Sequence, residues 1–318
     1  MTMVTTAKTA ISVRGKPVTV PSVHIEDRTV LTTGTWLKVA TIQDEELVIG
    51  ELVPNPESFI AQLKRTELDA DLFTFIQKPP DVVPRFRFPF EWENFAIVPL
   101  TSYAEWWDHQ VEPSVRRAVR KAVKSGVTVK VAEFDDAFVR GICRINDETR
   151  IRQGRRFWHY GKSFDDVLRE NSTYPGRNLF IGAYYEEELI GYMRLIFAGE
   201  LGSTVQILSM MKHYDKRPQN ALIAKAVEEC VGRGLRYLMY CNYVYRDPES
   251  SLTEFKRRNG FEKVQFPKYY VPLTGKGYWA LRLGFHHRVV DRIPVTVTRR
   301  LLGIRSWWYE RAQVPDGE

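Results

Sequence analysis

Apolar residues recur along this chain at two spacings, and each change of spacing marks an element. From Val23 to Trp36 and from Leu37 to Ile49 β-branched residues dominate, interrupted at Glu26-Asp27-Arg28 and at Gly34. That pattern predicts strands joined by turns. Pro54 to Thr66 places Phe59, Ile60 and Leu63 on one face and predicts a helix. Leu72 to Ile76 and Phe95 to Leu100 read as short apolar strands. Between them Pro79, Pro80, Pro84 and Pro89 predict an extended connection from Lys78 to Pro89.

A second segment starts near Thr101. Ala104 to Ser125 predicts a helix broken near Pro113 and closed by Gly126. Val127 to Ala132 follows as a strand, and Asp135 to Gln153 as a helix with Phe138, Ile142 and Ile145 on one face. Leu179 to Tyr185 and Leu189 to Phe197 predict a hairpin across Glu186-Glu187-Glu188, with Val205 to Met211 as the next strand. Pro218 to Gly232 reads as an amphipathic helix started by its proline. Leu235 to Cys241, Ser250 to Arg258 and Phe261 to Pro272 complete the order as strand, short helix and strand. Helices alternating with strands predict a mixed sheet covered by helices.

Composition narrows the class of protein. Of 318 residues, 44% are hydrophobic and 13% aromatic, enough to build a core in a chain long enough for two domains. No apolar run reaches the roughly 20 residues that span a bilayer. The polar stretch from Met1 to Ala10 lacks the apolar core of a signal peptide. Cys143, Cys230 and Cys241 form no CxxC or zinc pattern, and with the N-terminus they predict a cytoplasmic protein without a metal. A net charge of +7 suggests an anionic partner, a phosphate, a nucleic acid or an acidic membrane face.

Two stretches concentrate the chemistry. Arg217-Pro218-Gln219-Asn220-Ala221-Leu222 opens a helix after the strand from Val205, where free backbone N–H groups can meet an anion. Phe255-Lys256-Arg257-Arg258-Asn259-Gly260-Phe261 joins a short helix to the last strand. With the element order from Thr101 to Leu273, this Gly-Phe run resembles the GNAT acyltransferases. The N-terminal strands and helix read as a degenerate copy of the same unit, an arrangement similar to the FemABX peptidyltransferases with their two GNAT-like halves.

The resemblance implies an α/β fold, a mixed sheet flanked by helices and preceded by a degenerate half. It also implies a donor bound where the fourth strand splays from the fifth, and direct acyl transfer to an amine. This chain departs from GNAT practice twice. The Arg217 to Leu222 loop has none of the usual glycines, and Lys256 stands where GNAT enzymes carry a tyrosine. Both departures favour the Fem-type donor, an aminoacyl-tRNA, over an acyl-CoA, and both donors stay open. Lys256 is implied to neutralise charge near the tRNA end or the developing oxyanion. The plainer reading is a surface lysine on a basic helix.

Further candidates follow. Arg217, Gln219, Asn220, Ala221, Asn242 and Phe255 are expected at the donor, and Tyr243, with Tyr245 nearby, as a general acid. Glu148 and His159 are candidates to take the amine's proton, with Arg152 and Trp158 beside them at the acceptor. Between Ser114 and Ser125 the helix carries five positive charges, Arg116, Arg117, Arg120, Lys121 and Lys124, without an acid. This stripe reads either as a solvated face or as a site for a phosphate-bearing substrate or tRNA. From Phe285 to Arg311 six arginines mix with Trp307, Trp308 and Tyr309, which suggests peripheral contact with an anionic membrane or a docked tail.

The expectation is an N-acyltransferase acting on a small-molecule or peptidyl amine, with no DNA partner. Its N-terminal half would cover 1–100, the acyltransferase domain 101–280 and the tail 281–318. The rival is a non-catalytic module of the same fold that holds RNA or an anionic membrane through its basic segments.

Overall fold

The computed structural model describes residues 6–13, 16–47, 53, 55–77, 79–152, 154–245 and 249–287. The arginine-rich tail, apart from its first residues, therefore lies outside the described residues. Of these, the residues up to Asn94 and from Gln265 onward form one compact unit, and Phe95–Val264 form the other.

In the first unit β1 (Ala7–Val13), β2 (Lys16–Ile25), β3 (Arg28–Thr33) and β4 (Val39–Ile42) pair antiparallel in sequence. Glu26, at a φ of 56°, makes the tight turn between β2 and β3. α1 (Pro56–Leu63) starts on Pro56, and the Asn55 side chain accepts from Ser58 N at 2.9 Å. Its Phe59, Ile60 and Leu63 are buried, as the helical spacing predicts. β5 (Leu72–Ile76), buried along its whole length, lies parallel to β4.

The second unit begins at Phe95, within β6 (Phe90–Pro99), which leads to α2 (Tyr103–Glu105), a π-helical turn over Trp106–Gln110, and α3 (Pro113–Lys124). β7 (Thr128–Ala132), α4 (Asp136–Asp147), the small hairpin of β8 (Ile151–Arg152) and β9 (Arg155–Arg156), and α5 (Phe164–Asn171) come next. β10 (Asn178–Tyr185), β11 (Glu188–Ala198) and β12 (Leu201–Ser209) form an antiparallel meander. A 3-10 turn over Met211–Lys216 then feeds α6 (Pro218–Gly232). β13 (Tyr237–Met239) and α7 (Ser251–Arg258) follow, and the chain then returns to the first unit with β14 (Glu262–Pro272), from Gln265 on, and α8 (Gly275–Arg282).

The two units repeat one plan. In the second, β10, β11 and β12 run antiparallel, α6 crosses over, β13 lies parallel to β12, and β6 pairs antiparallel with β13. In the first, β2, β3 and β4 are followed by α1, a parallel β5 and an antiparallel β14. The chain is thus a mixed α/β protein with the expected GNAT-like order. Side chains alternate across β10 and β11. Ile181, Met193 and Leu195 join Trp106, Leu222 and Val227 in one core, while Phe180 and Tyr192 join Phe138 and Ile142 in another. Burial of α6 and α4 on opposite faces fixes the register, since a one-residue slip would exchange the two cores.

Among the differences from the expected elements are three in the second unit. The helix expected to run to Gln153 ends at Asp147, where the Thr149 hydroxyl accepts from Ile151 N and donates to Ile151 O. This local alternative to the helix ladder starts the β8–β9 hairpin. α5 went unpredicted, its short apolar set being hidden among charges. The strand expected from Leu235 to Cys241 shrinks to Tyr237–Met239, because its pairing with β12 stops at Ser203↔Met239.

Candidate functional site

The end of that pairing opens the site. Beyond Ser203 and Met239 the β12–β13 ladder ends, while the chain after β13 stays tied to its other neighbour, with Tyr240 N donating to Ala96 O at 2.8 Å. On the opposite side of β12 the register runs Arg194↔Gln206 and then Leu195↔Thr204. Val205 is therefore an extra residue in β12, a bulge at the mouth of the splay. Bulges turn the strand and re-aim its backbone groups. Across the gap the Cys241 thiol donates to Thr204 O at 3.5 Å, with Cys241 itself at a φ of 42°.

Lys256 comes up from α7 behind the β13 side. It is not the surface residue of the plainer reading, for its relative exposure is 0%. Its ammonium donates to Asn242 O and lies 4.6 Å from the Tyr240 ring centroid and 4.7 Å from that of Tyr245. Two desolvated cation–π contacts, on the order of 2 kcal/mol each, help a charge survive there. Burial pushes the amine down to about 8, with the Cys241 sulfur pulling the other way. At neutral pH the group is therefore mostly charged. Phe255 packs on the core beside it, and Tyr243, half-buried, accepts from the Thr253 hydroxyl through its carbonyl at 3.5 Å. Burial raises the Tyr243 phenol.

His159 approaches β12 from the other side. Its Nδ1 is 3.1 Å from Lys162 Nζ and its Nε2 is 3.1 Å from the Gln206 amide. An ammonium can only donate, so Nδ1 accepts and Nε2 carries the proton, an assignment that pairs with Gln206 once its side-chain amide is flipped to bring the oxygen, in place of the amide nitrogen, to the ring. Burial first, then the charges of Lys162 and Arg152, push the imidazole down to about 4. Near pH 7 it is neutral and a weak base.

Glu148 and Arg152 are brought together, but as a brace. Glu148 accepts from Met211 N at 2.6 Å and Lys212 N at 2.9 Å, capping the 3-10 turn, and from Arg152 at 3.3 Å. Arg152 also donates to Ser209 O and Ile145 O. Trp158 is half exposed nearby.

The donor residues gather at the start of α6. Arg217 caps the helix in the left-handed region (φ 59°), with no side-chain cap at this end. That is the conformation a glycine adopts without strain. Gln219 sits in the first turn, and Ala221 is buried against the core. Asn220 Nδ2 donates to Asn259 Oδ1 at 3.3 Å, while the Asn259 carbonyl accepts from Trp106 Nε1 at 3.1 Å. Gly260 (φ 83°) then turns the chain so closely past Gln110 that a Cβ would sit 3.2 Å from its carbonyl. Asn242 meets Lys256 through its backbone carbonyl.

On α3 the five cations divide. Arg116 donates to the carbonyls of Trp107, Asp108 and Val111 and closes the π-helical turn. Arg117, Arg120, Lys121 and Lys124 are exposed and have no acidic partner among the described residues; Arg120 lies over the Trp107 ring at 5.9 Å. In contrast Arg257 and Arg258 pair with Glu254 and Glu112, so the basic run after Lys256 is neutralised. What the sequence did not reveal is the Val205 bulge, the Cys241 contact and the Tyr240–Tyr245 enclosure. All three depend on partners distant along the chain.

Comparisons with known proteins bear on the fold. The sequence matches no known protein-family model and no curated protein. By structure, the chain is similar to the crystal structure of FemX at a TM-score of 0.53 and 13% identity, over 83% of this chain and 88% of that one. It is also similar to the C-terminal domain of a putative lysylphosphatidylglycerol synthetase from Agrobacterium fabrum, at a TM-score of 0.50 and 14% identity over 80% and 84% of the two chains. L-PGS from Bacillus licheniformis gives a TM-score of 0.50 and 15% identity over 76% and 80%. The chain therefore shares the Fem-like fold seen in FemX and in these synthetase domains.

Proposed function

We propose that the chain is an N-acyltransferase that moves an acyl or aminoacyl group from an activated donor to an amine. One observation carries the reading: the β12–β13 splay has a bulge at Val205 on one wall and the buried Lys256 ammonium behind the other. In this reading the donor carbonyl enters the splay. The amine attacks the carbonyl carbon, a C–N bond forms, and the oxyanion develops in the field of Lys256. The C–O bond of an aminoacyl-tRNA, or the C–S bond of an acyl-CoA, then breaks without a covalent enzyme intermediate. Lys256 acts through its charge, which counts for more in a water-poor site than in solvent.

Glu148 and His159 are already engaged, and an imidazole near 4 is a poor acceptor. The amine's proton passes instead to the leaving oxygen or sulfur, with the phenols of Tyr243 and Tyr245 as the nearest acids. Phosphates of the donor would lie toward Arg217 and the first turn of α6, and the exposed face of α3 supplies further positive charge. The four exposed cations on α3, without an acidic partner among the described residues, also favour the second reading, a non-catalytic module for a polyanion. Transfer of a labelled acyl or aminoacyl group to any member of an amine panel, lost in Lys256→Met, supports the enzyme. Salt-sensitive RNA or vesicle binding without transfer supports the module.

A further inference from the structure

Away from the splay, three side chains of the first unit point their donor atoms at one place. Glu91 stands at the start of β6, and His286 and His287 lie just past α8. His286 Nε2 is 2.9 Å and His287 Nε2 3.2 Å from the same oxygen, Glu91 Oε1. The Tyr270 hydroxyl on β14 donates to the other oxygen, Oε2, at 3.2 Å, and its ring meets His286 edge-on at 4.9 Å. The His286 side chain is 6% exposed and that of His287 42%. His286 Nδ1 has no partner among the described residues, so packing and Nε2 alone orient the ring.

We propose that Glu91, His286 and His287 form a zinc site. Two imidazoles and one carboxylate are a ligand set that zinc accepts, with bonds of about 2.0–2.2 Å in a tetrahedron. Such bonds separate ligand atoms by roughly 3.3 Å. The three atoms here lie within 4.8 Å of one another, with two of the separations at 2.9 and 3.2 Å. Shifts of a few tenths of an ångström would seat the ion. Magnesium and calcium favour oxygen ligands, which selects against them here. No lysine or arginine pairs with Glu91 among the described residues, so its charge is open to a cation or to protonated imidazoles. Tyr270 fixes the carboxylate from behind, and the exposed side of His287 leaves a position for water. A bound ion would tie the segment after α8 to the start of β6.

The test uses the full chain, stripped with a chelator and dialysed against zinc sulfate at neutral pH. Zinc is counted by elemental mass spectrometry, and the unfolding temperature is followed with and without it. One zinc per chain and a zinc-dependent rise in unfolding temperature are expected. His287→Ala, at an exposed position, should weaken binding at least tenfold, and Tyr270→Phe by about tenfold. Neither should change the far-UV spectrum of the metal-free chain. No retained zinc, or equal retention by His287→Ala and Glu91→Gln, overturns the site and identifies the cluster as histidines hydrogen-bonded to a carboxylate. Neither outcome depends on acyl transfer.

Discussion

At Lys256 burial disfavours the ammonium, while two aromatic faces and the Asn242 carbonyl favour it. Its value near 8 gives the proposed role a sign. The charged form does the work, so the advantage of the wild type over Lys256→Met should shrink as pH rises through about 8. A ratio of rates that stays flat from pH 6.5 to 9.5 would remove its charge from the mechanism. Arg217 offers a second residue-scale check. A left-handed non-glycine residue costs about 1–2 kcal/mol, and a glycine gives back roughly 0.5–1 kcal/mol as lost chain entropy. Arg217→Gly should leave urea stability unchanged or raise it by up to about 1 kcal/mol, and a clear fall would mean that the arginine side chain holds the turn. The missing glycine was visible in the sequence. That the backbone still takes the glycine conformation was not, since φ is not encoded by residue type alone.

Among the elements, α8 shows how one contact fixes a helix. The Asp71 carboxylate accepts from Lys38 N at 2.9 Å and the Thr274 hydroxyl at 2.9 Å, and pairs with Lys276 at 2.7 Å. A Cβ on Gly277 would lie 1.9 Å from Asp71 O. Gly277→Ala should therefore cost about 1–3 kcal/mol or more in urea unfolding, whereas relaxation without loss would show that α8 docks loosely. Burial alone would raise the Asp71 carboxyl, but the Lys276, Lys38 and Thr274 hydrogen bonds outweigh it and hold the group below 3.8. The stability it adds is present above the unfolded value and is lost as pH falls through the lower folded value. Below about pH 4 the wild type should lose its margin over Asp71→Asn, a convergence measurable by thermal unfolding in acid. On α3, replacing Arg117, Lys121 and Lys124 together by glutamine should flatten the salt dependence of any RNA binding by about 3 in log–log slope. An unchanged slope would return that face to plain solvation. The helical stripe was readable from spacing, but Arg116 could be told from its neighbours only once the π-helical turn gave it carbonyls to bind.

For the molecule as a whole, one plan appears in both units, and the second joins it to the buried Lys256 ammonium beside a strand splay. The first places α1, with Phe59, Ile60 and Leu63 buried, where the second places α6 with an open first turn. Element order and the Gly-Phe run made the fold legible from Thr101 onward, because apolar spacing and turn residues are local signals. The site was legible only as candidates. Residue type marks Glu148 and Arg152 as candidates, but tertiary hydrogen bonds give them a bracing geometry. Acyl transfer at the β12–β13 splay is tested directly by one experiment. The full chain and Lys256→Met are incubated with labelled aminoacyl-tRNA or acyl-CoA and a panel of amines, and the amide products are counted by mass spectrometry. Label in an amide product, reduced about a hundredfold or more in a folded Lys256→Met, is the result predicted. No product from either donor, or equal product from both proteins, would contradict it.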